Sequence, residues 1–188
     1  GGSVSVGAGT TVYTSDQWLV SATGAGITYA RVAGSSGSPF RARLTGAASV
    51  TGVGLIQRIE RLNSADLAGG VATLSVKASS SSLTTLTWTI YQATTNDNFG
   101  AITQLATGNF TINSTEATYV AANIAISAGA TTGLQVTLSG GALLPFWALT
   151  LKDARRPNVR RSSTLHDAPL GVWLPFRSRG IEIGRAHV

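Results

Sequence analysis

Apolar and polar residues alternate with a period of two along most of the chain. The alternation is clearest at residues 71–78 and 86–91, where every second residue is apolar. Successive side chains of a β-strand point to opposite faces of a sheet, so this period predicts strands with one buried face. Shorter segments of the same character predict further strands at residues 4–6, 18–20, 27–32, 40–44, 55–60, 110–112, 119–126, 134–138 and 146–151.

Turn-forming residues separate these segments. Clusters of Gly, Ser, Asn and Pro lie at residues 34–39 and 96–98, and one short helical segment is predicted at residues 61–67. Helices of 10–15 residues do not alternate with the strands, which excludes a βαβ fold. Short strands joined by such turns predict an all-β fold, an antiparallel two-sheet sandwich of the jelly-roll type.

Composition narrows the chemistry that is open to the chain. Its 188 residues include no cysteine and no methionine, and only 12% are charged. Disulfide bonds, thiolate metal sites and a cysteine nucleophile are therefore excluded. No run of about 18 apolar residues occurs, so membrane insertion is not predicted.

Positive charge is concentrated at the C-terminal end. Residues 1–154 carry seven basic and six acidic residues, whereas residues 155–188 carry seven arginines, two acidic residues and both histidines. The net charge of +6 therefore belongs mainly to the last 34 residues. Because the rest of the chain has no basic patch, nucleic acid is not a predicted partner.

The C-terminal segment lacks the periodicity of the rest. Residues 155–163 are rich in Arg, Pro and Ser without a strand or helix period, and residues 183–188 correspond to one reading frame of a common sequencing adapter. We predict a jelly-roll domain over residues 1–154, truncated at its N-terminal end, and an out-of-frame, adapter-derived, disordered tail over residues 155–188. A genuine basic C-terminal arm is the alternative.

Four segments, in the same order and spacing, resemble a jelly-roll domain of bacteriophage tail-fibre and other virion proteins, which is itself similar to carbohydrate-binding modules. Residues 12–18 resemble its "YTaDRW" motif, and residues 57–60 its "QRIE" motif. Residues 66–78 and Gln92 with residues 99–100 match two further segments. Gln17 replaces the usual arginine, and residues 75–77 lack the usual aromatic. The motif residues carried over as structural are Asp16, Trp18, Gln57, Arg58 and Glu60.

The resemblance implies a function in attachment. It implies a homotrimeric virion domain on the extracellular phage particle, in contact with other virion and tail proteins and with a host surface polysaccharide. Two alternatives remain open: a carbohydrate-binding module of a secreted bacterial enzyme, and an architectural virion domain without a ligand.

Catalysis is not predicted. Residues 1–154 contain no histidine, so a serine nucleophile would have no imidazole base. Glycoside hydrolysis needs two carboxylates that flank the scissile bond, and the sequence does not pair its acidic residues. Glu60 follows Arg58 by two positions, so both are expected on one strand face, where an ion pair would keep the carboxylate ionised.

Aromatic side chains are the predicted ligand contacts, because sugar rings stack on flat, exposed aromatic faces. Trp88 alternates with apolar neighbours and is expected in the core, whereas Tyr91 lies on the opposite, threonine-rich face. The predicted glycan platform is Tyr91 and Phe99, with Tyr29 as a third candidate. Trp18 is interpreted as a packed anchor.

One oxygen-rich segment raises the question of a metal. Residues 96–98 read Asn-Asp-Asn between two predicted strands, a composition typical of a turn. A Ca²⁺ ion bound through Asp97 is the alternative interpretation. No other cofactor is predicted.

Overall fold

Two antiparallel sheets pack face to face as a β-sandwich of the jelly-roll type. The computed structural model describes residues 2–15, 18–33, 40–47, 49–141, 147–152 and 160–161. The first sheet has the order β1 (Ser3–Val6), β4 (Ile27–Ala33), β5 (Phe40–Gly46), β12 (Trp147–Lys152), β7 (Val71–Ser79) and β10 (Ala117–Ala125), with β13 (Arg160–Arg161) also paired to β7. The second has the order β2 (Thr11–Ser15), β3 (Trp18–Thr23), β6 (Gly52–Ile59), β11 (Leu134–Gly140), β8 (Thr85–Thr95) and β9 (Asn98–Thr111).

The predicted strands are present, and two regions were missed. The helical segment is also present, as helix α1 (Arg61–Ser64) followed by a 3₁₀ turn (Ala65–Leu67). Strand β2 and most of β9 were not predicted. Strand β9 contains Gly100, Ala101 and Gly108 and leaves most of its residues exposed or half-buried, so its sequence lacks a continuous apolar stripe. Its pairing with β8 along nearly its whole length defines it as a strand.

The alternation of the sequence becomes the division between core and surface. In β7, Ala72, Leu74, Val76 and Ala78 are buried, and the residues between them are half-buried. Inward-pointing residues of the two sheets form one core, which includes Val20, Leu44, Leu55, Leu74, Ile90 and Val136. Burying each of these aliphatic side chains contributes about 1.5–3 kcal/mol relative to exposing it.

Aromatic contacts among Trp88, Phe110 and Tyr119 join the two sheets. The Trp88 ring centroid lies 6.3 Å from that of Phe110, which lies 5.8 Å from that of Tyr119 on the opposite sheet. Trp88 is 9% exposed and faces the core, as predicted. Its ring covers Gly108 so closely that a Cβ there would lie 2.6 Å from Trp88 Cζ2. Position 108 therefore requires glycine for close approach.

Two acidic residues, Glu116 and Asp97, join neighbouring elements through two polar contacts each. The Glu116 carboxylate binds Arg41 Nη1 at 3.1 Å and Lys77 Nζ at 3.0 Å, and thus links β5 and β7, which flank β12. At the other sheet, the Asp97 backbone N–H donates to the Thr132 carbonyl at 2.8 Å. Asp97 Oδ1 accepts the Arg61 backbone N–H at 2.7 Å, which satisfies a free donor at the start of α1.

The assignment of residues 1–154 to the domain and 155–188 to a tail stays a prediction. The boundary at residue 154 lies outside the described residues, and so does the tail apart from residues 160–161, which pair with β7. Within the described ranges, no helix is long and apolar enough to cross a membrane.

Replacing Gly108 by alanine is expected to destabilise the domain, because the new Cβ would overlap the Trp88 ring. Overpacking of this kind costs about 1–3 kcal/mol. Chemical denaturation followed by tryptophan fluorescence measures the free energy of unfolding. Gly7→Ala is the control, because a Cβ there meets only Thr10 at 3.5 Å or more. Equal stabilities of the two variants would contradict the packing described.

Replacing Asp97 by alanine is expected to lower the free energy of unfolding by about 1 kcal/mol, since the bond to the Arg61 N–H is lost. The backbone adds to this cost, because Asp97 has a φ of 53°, which Asp and Asn tolerate better than Ala. Asp97→Asn keeps both an acceptor oxygen and this tolerance. Thermal denaturation should therefore rank wild type and Asp97→Asn above Asp97→Ala, and the reverse order would contradict the role of Asp97.

Candidate functional site

The outer side of the second sheet carries mostly polar residues, interrupted by Leu19 and Ile56, and we call it the polar face. Strand register arranges its residues in three rows that run across the strands. The first row is Arg58, Gln135, Tyr91 and Gln104; the second is Leu19, Ile56, Thr137, Thr89 and Thr107; the third is Ser21, Gly54, Ser139, Thr87 and Asn109.

Arg58 is the centre of contacts at the end of this face. Its Nε donates to Gln135 Oε1 at 3.2 Å, and its Nη1 donates to the Tyr13 hydroxyl oxygen at 3.3 Å. Its Cζ lies 5.2 Å from the centroid of the Phe99 ring, within the range of a cation–π contact. We call Tyr13, Arg58, Phe99 and Gln135 the arginine cluster. Three contacts from three other strands fix the guanidinium in one position.

Two tyrosines stand on either side of the Arg58–Gln135 pair. Tyr13, on β2, is 63% exposed although its hydroxyl binds Arg58. Tyr91, on β8, is half-buried and is the strand neighbour of Gln135. Neighbouring strands lie about 4.8 Å apart, so the row from Arg58 to Gln104 spans about 14 Å. Within this row Gln135 is only 6% exposed, whereas Arg58 and Tyr91 are half-buried and Gln104 is exposed. The accessible groups thus form an elongated series, which suits an extended ligand better than a compact one.

The remainder of the polar face is held by its own hydrogen bonds. The Thr87 hydroxyl donates to Asn109 Oδ1 at 2.8 Å, and the Thr89 and Thr107 hydroxyl oxygens lie 3.1 Å apart. Gly54, in the middle of the third row, has no side chain above the sheet. A Cβ there would lie 2.6 Å from Ser21 Oγ. The face therefore presents fixed hydroxyl and amide groups around a strip without bulky side chains.

Of the three aromatic residues predicted to contact a glycan, two lie at the polar face. Tyr91 is part of its first row, and Phe99 belongs to the arginine cluster. Phe99 is half-buried, with its ring packed so closely on Gly133 that a Cβ there would lie 3.0 Å from Cζ. Tyr29 is 3% exposed, because it alternates with the residues of β4 that point outward. The prediction that Tyr29 contacts a glycan is therefore wrong.

The motif residues have different environments. Trp18 and Gln57 are strand neighbours that point into the core, at 5% and 2% exposure. Gln57 Oε1 accepts no hydrogen bond from the described residues. Arg58 points outward, whereas Glu60 lies beyond the end of β6, at the N-cap of α1. Asp16 lies outside the described residues.

The predicted ion pair between Arg58 and Glu60 is not formed among the described residues. The ion pairs there join Glu116 to Arg41 and Lys77. Arg58 instead turns toward Gln135 and Tyr13 on the neighbouring strands. The expectation was wrong because β6 ends at Ile59, so that the two-residue period no longer describes Glu60.

Tyr13 and Gln135 were not predicted as parts of a site. Both lie outward of apolar neighbours, Tyr13 after Val12 and Gln135 between Leu134 and Val136. This alternation with apolar neighbours indicates, from the sequence alone, that both side chains face outward. Their proximity to Arg58 was not visible, because it depends on the order β2–β3–β6–β11 in the sheet.

Two of the described carboxylates have structural partners. Asp97 occupies the predicted turn between β8 and β9 and caps α1, and no group of three His, Cys, Asp or Glu side chains that could hold a metal occurs in the described ranges. Glu116 is bound to Arg41 and Lys77 at the first sheet. The polar face offers hydroxyl, amide and guanidinium groups, which can form hydrogen bonds with a ligand.

No protein-family model matches the chain, and no curated protein sequence matches it significantly. Solved structures are similar in fold. The carbohydrate-binding module TmCBM61, solved in complex with β-1,4-galactotriose, matches with a TM-score of 0.51 and 13% identity, over 77% of this chain and 88% of that one. A structure from a study of promiscuous carbohydrate-binding modules of the β-sandwich superfamily matches with a TM-score of 0.54 and 7% identity, over 78% of this chain and 57% of that one.

A phage protein is also similar in fold. The enzymatically active domain of tailspike protein 4 of bacteriophage CBA120 matches with a TM-score of 0.51 and 14% identity, over 76% of this chain but only 19% of that chain. At these identities the matches establish the fold alone. The chain therefore has a jelly-roll β-sandwich like that of carbohydrate-binding modules.

Proposed function

We propose that this domain is a non-enzymatic carbohydrate-binding module that binds a polysaccharide along the polar face. The observation that carries the proposal is the arrangement of an exposed tyrosine, a fixed guanidinium, an amide and a second tyrosine across the second sheet: Tyr13, Arg58, Gln135 and Tyr91.

This arrangement meets the two chemical requirements of a sugar ligand. A pyranose ring has an apolar side that packs on an aromatic ring, and Tyr13 and Tyr91 supply such rings. Its hydroxyl groups need donors and acceptors that are already in position, which Arg58, Thr87, Thr107 and Asn109 provide. Because these groups are held before binding, less side-chain entropy is lost on association.

The fold comparisons support the same proposal. One similar structure contains β-1,4-galactotriose, and another belongs to a study of carbohydrate-binding modules. Fold similarity does not specify function by itself, so the proposal depends on the polar face.

We further propose that the module belongs to a phage tail fibre or related virion protein and attaches the particle to a host surface polysaccharide. The motif resemblance and the fold similarity to a phage tailspike domain support this context. The proposed assembly is a homotrimer in contact with other virion proteins. Several copies on one fibre would convert weak single-site affinity into strong attachment through effective concentration.

A carbohydrate-binding module of a secreted bacterial enzyme is the second candidate. The fold similarity to such modules favours it, and the polar face would have the same role. The two contexts differ in assembly, since a virion domain is expected to be trimeric and an enzyme-linked module monomeric.

Replacing Tyr13 or Tyr91 by alanine is expected to weaken polysaccharide binding by about tenfold, the loss typical of an aromatic contact residue. Binding of the full chain to a panel of bacterial surface polysaccharides can be measured by affinity electrophoresis and calorimetry. Phe40→Ala is the control, because Phe40 is 47% exposed but lies on the first sheet. Equal loss in the control, or no loss in either tyrosine variant, would contradict the proposed face.

Sedimentation equilibrium of the full chain is expected to give the mass of a trimer if the virion context is correct. A monomer that binds polysaccharide would favour the enzyme-linked module. A trimer that binds no polysaccharide would instead indicate an architectural virion domain.

A further inference from the structure

We propose that the polar face binds an acidic polysaccharide, and that Arg58 receives the carboxylate of a uronic-acid-type sugar. This inference rests on the proposed glycan-binding function and specifies its ligand class.

The described hydrogen-bond partners of Arg58 are neutral and leave some of its donors unused. A guanidinium has five N–H donors, and the contacts to Gln135 and Tyr13 use one each from Nε and Nη1. Both acceptors are neutral. In the described part of the chain, no carboxylate lies within ion-pair distance of Arg58, and donors remain for a further acceptor.

Arg58 differs from Arg41, a half-buried arginine of the first sheet, in the charge of its partners. Arg41, on the outer face of the first sheet, is half-buried and is neutralised by Glu116 at 3.1 Å. Arg58 is also half-buried, yet its contacts among the described residues are an amide, a phenol and an aromatic ring. These neighbours fix the guanidinium without cancelling its charge. A partly desolvated charge without a counter-ion attracts an anion more strongly than a fully hydrated one does.

Arg58 also lies between the two tyrosines that a bound polysaccharide would contact. Arg58 lies in the same row as Tyr91, and its neighbour Tyr13 is the more exposed ring. A polysaccharide that stacks on these tyrosines therefore passes over the guanidinium. A planar guanidinium matches the two oxygens of a carboxylate, and such charge-assisted bonds are shorter and stronger than neutral ones. The site thus combines ring stacking with recognition of a carboxylate substituent.

The test uses pairs of polysaccharides that differ only in charge. Alginate, polygalacturonate and hyaluronan are each compared with their carboxyl-reduced derivatives, in which each uronic acid has become a neutral sugar. Affinity electrophoresis and calorimetry with the full chain measure both members of each pair at low and high salt. We expect at least one acidic polymer to bind about tenfold or more tightly than its reduced form, and this preference to shrink with salt.

Matched variants locate the preference. Arg58→Met should abolish the difference between the acidic and reduced polymers, and Arg58→Lys should retain part of it as a point charge without the planar fork. Arg43→Met is the control, because it removes the same charge from an exposed position on the first sheet. An equal effect of Arg43→Met would overturn the assignment to Arg58.

The outcomes separate the two proposals. Equal affinity for acidic and reduced forms would overturn the acidic ligand while leaving glycan binding intact. Failure to bind any neutral or acidic polysaccharide would overturn both. Equal affinity for dextran sulfate and for the preferred carboxylated polymer would show general anion attraction and would also overturn the carboxylate assignment. The preference of the wild-type chain decides the ligand class even if Arg58→Met does not fold.

Discussion

Alternate side chains along the strands are buried between the two sheets, and this burial sets the strand register. Each strand of the second sheet must direct one set of residues into the core, so the other set is displayed together on the outside. In β6 this puts Leu55 and Gln57 inside and Gly54 and Arg58 outside. A shift of one residue would bury the guanidinium and expose Leu55. The stability of the core thus maintains the register of the polar face.

The same constraint explains why the candidate site is rigid. Its residues come from β2, β6, β8, β9 and β11, and each strand is fixed by its neighbours in the sheet. Phe99 packs on Gly133 and faces Arg58, so the loop before β11 and the start of β9 support the guanidinium. Binding surfaces built on strands in this way are more precise than those built on loops. Such preorganisation lowers the entropy lost when a ligand binds.

The charged residues of the two sheets have different kinds of partner among the described residues. On the first sheet, Glu116 neutralises Arg41 and Lys77, so those charges serve to join β5 and β7. On the second sheet, the described residues that contact Arg58 are neutral, and under our proposal its charge is available to a ligand. Half-exposed ion pairs contribute little to stability, so this difference matters more for recognition than for folding.

The period of two in the sequence indicates which residues are buried, so the fold class and most strands could be predicted from it. It also placed Trp88 in the core, Tyr91 on the opposite face and the turn at residues 96–98. Strand β9 was missed because an edge strand needs few apolar residues, and Tyr29 was misassigned because its side chain points inward with Ile27 on β4. Only the tertiary structure brought Tyr13, Arg58 and Gln135 together, since they lie 45 and 77 residues apart in the chain and meet through the order of strands in the sheet.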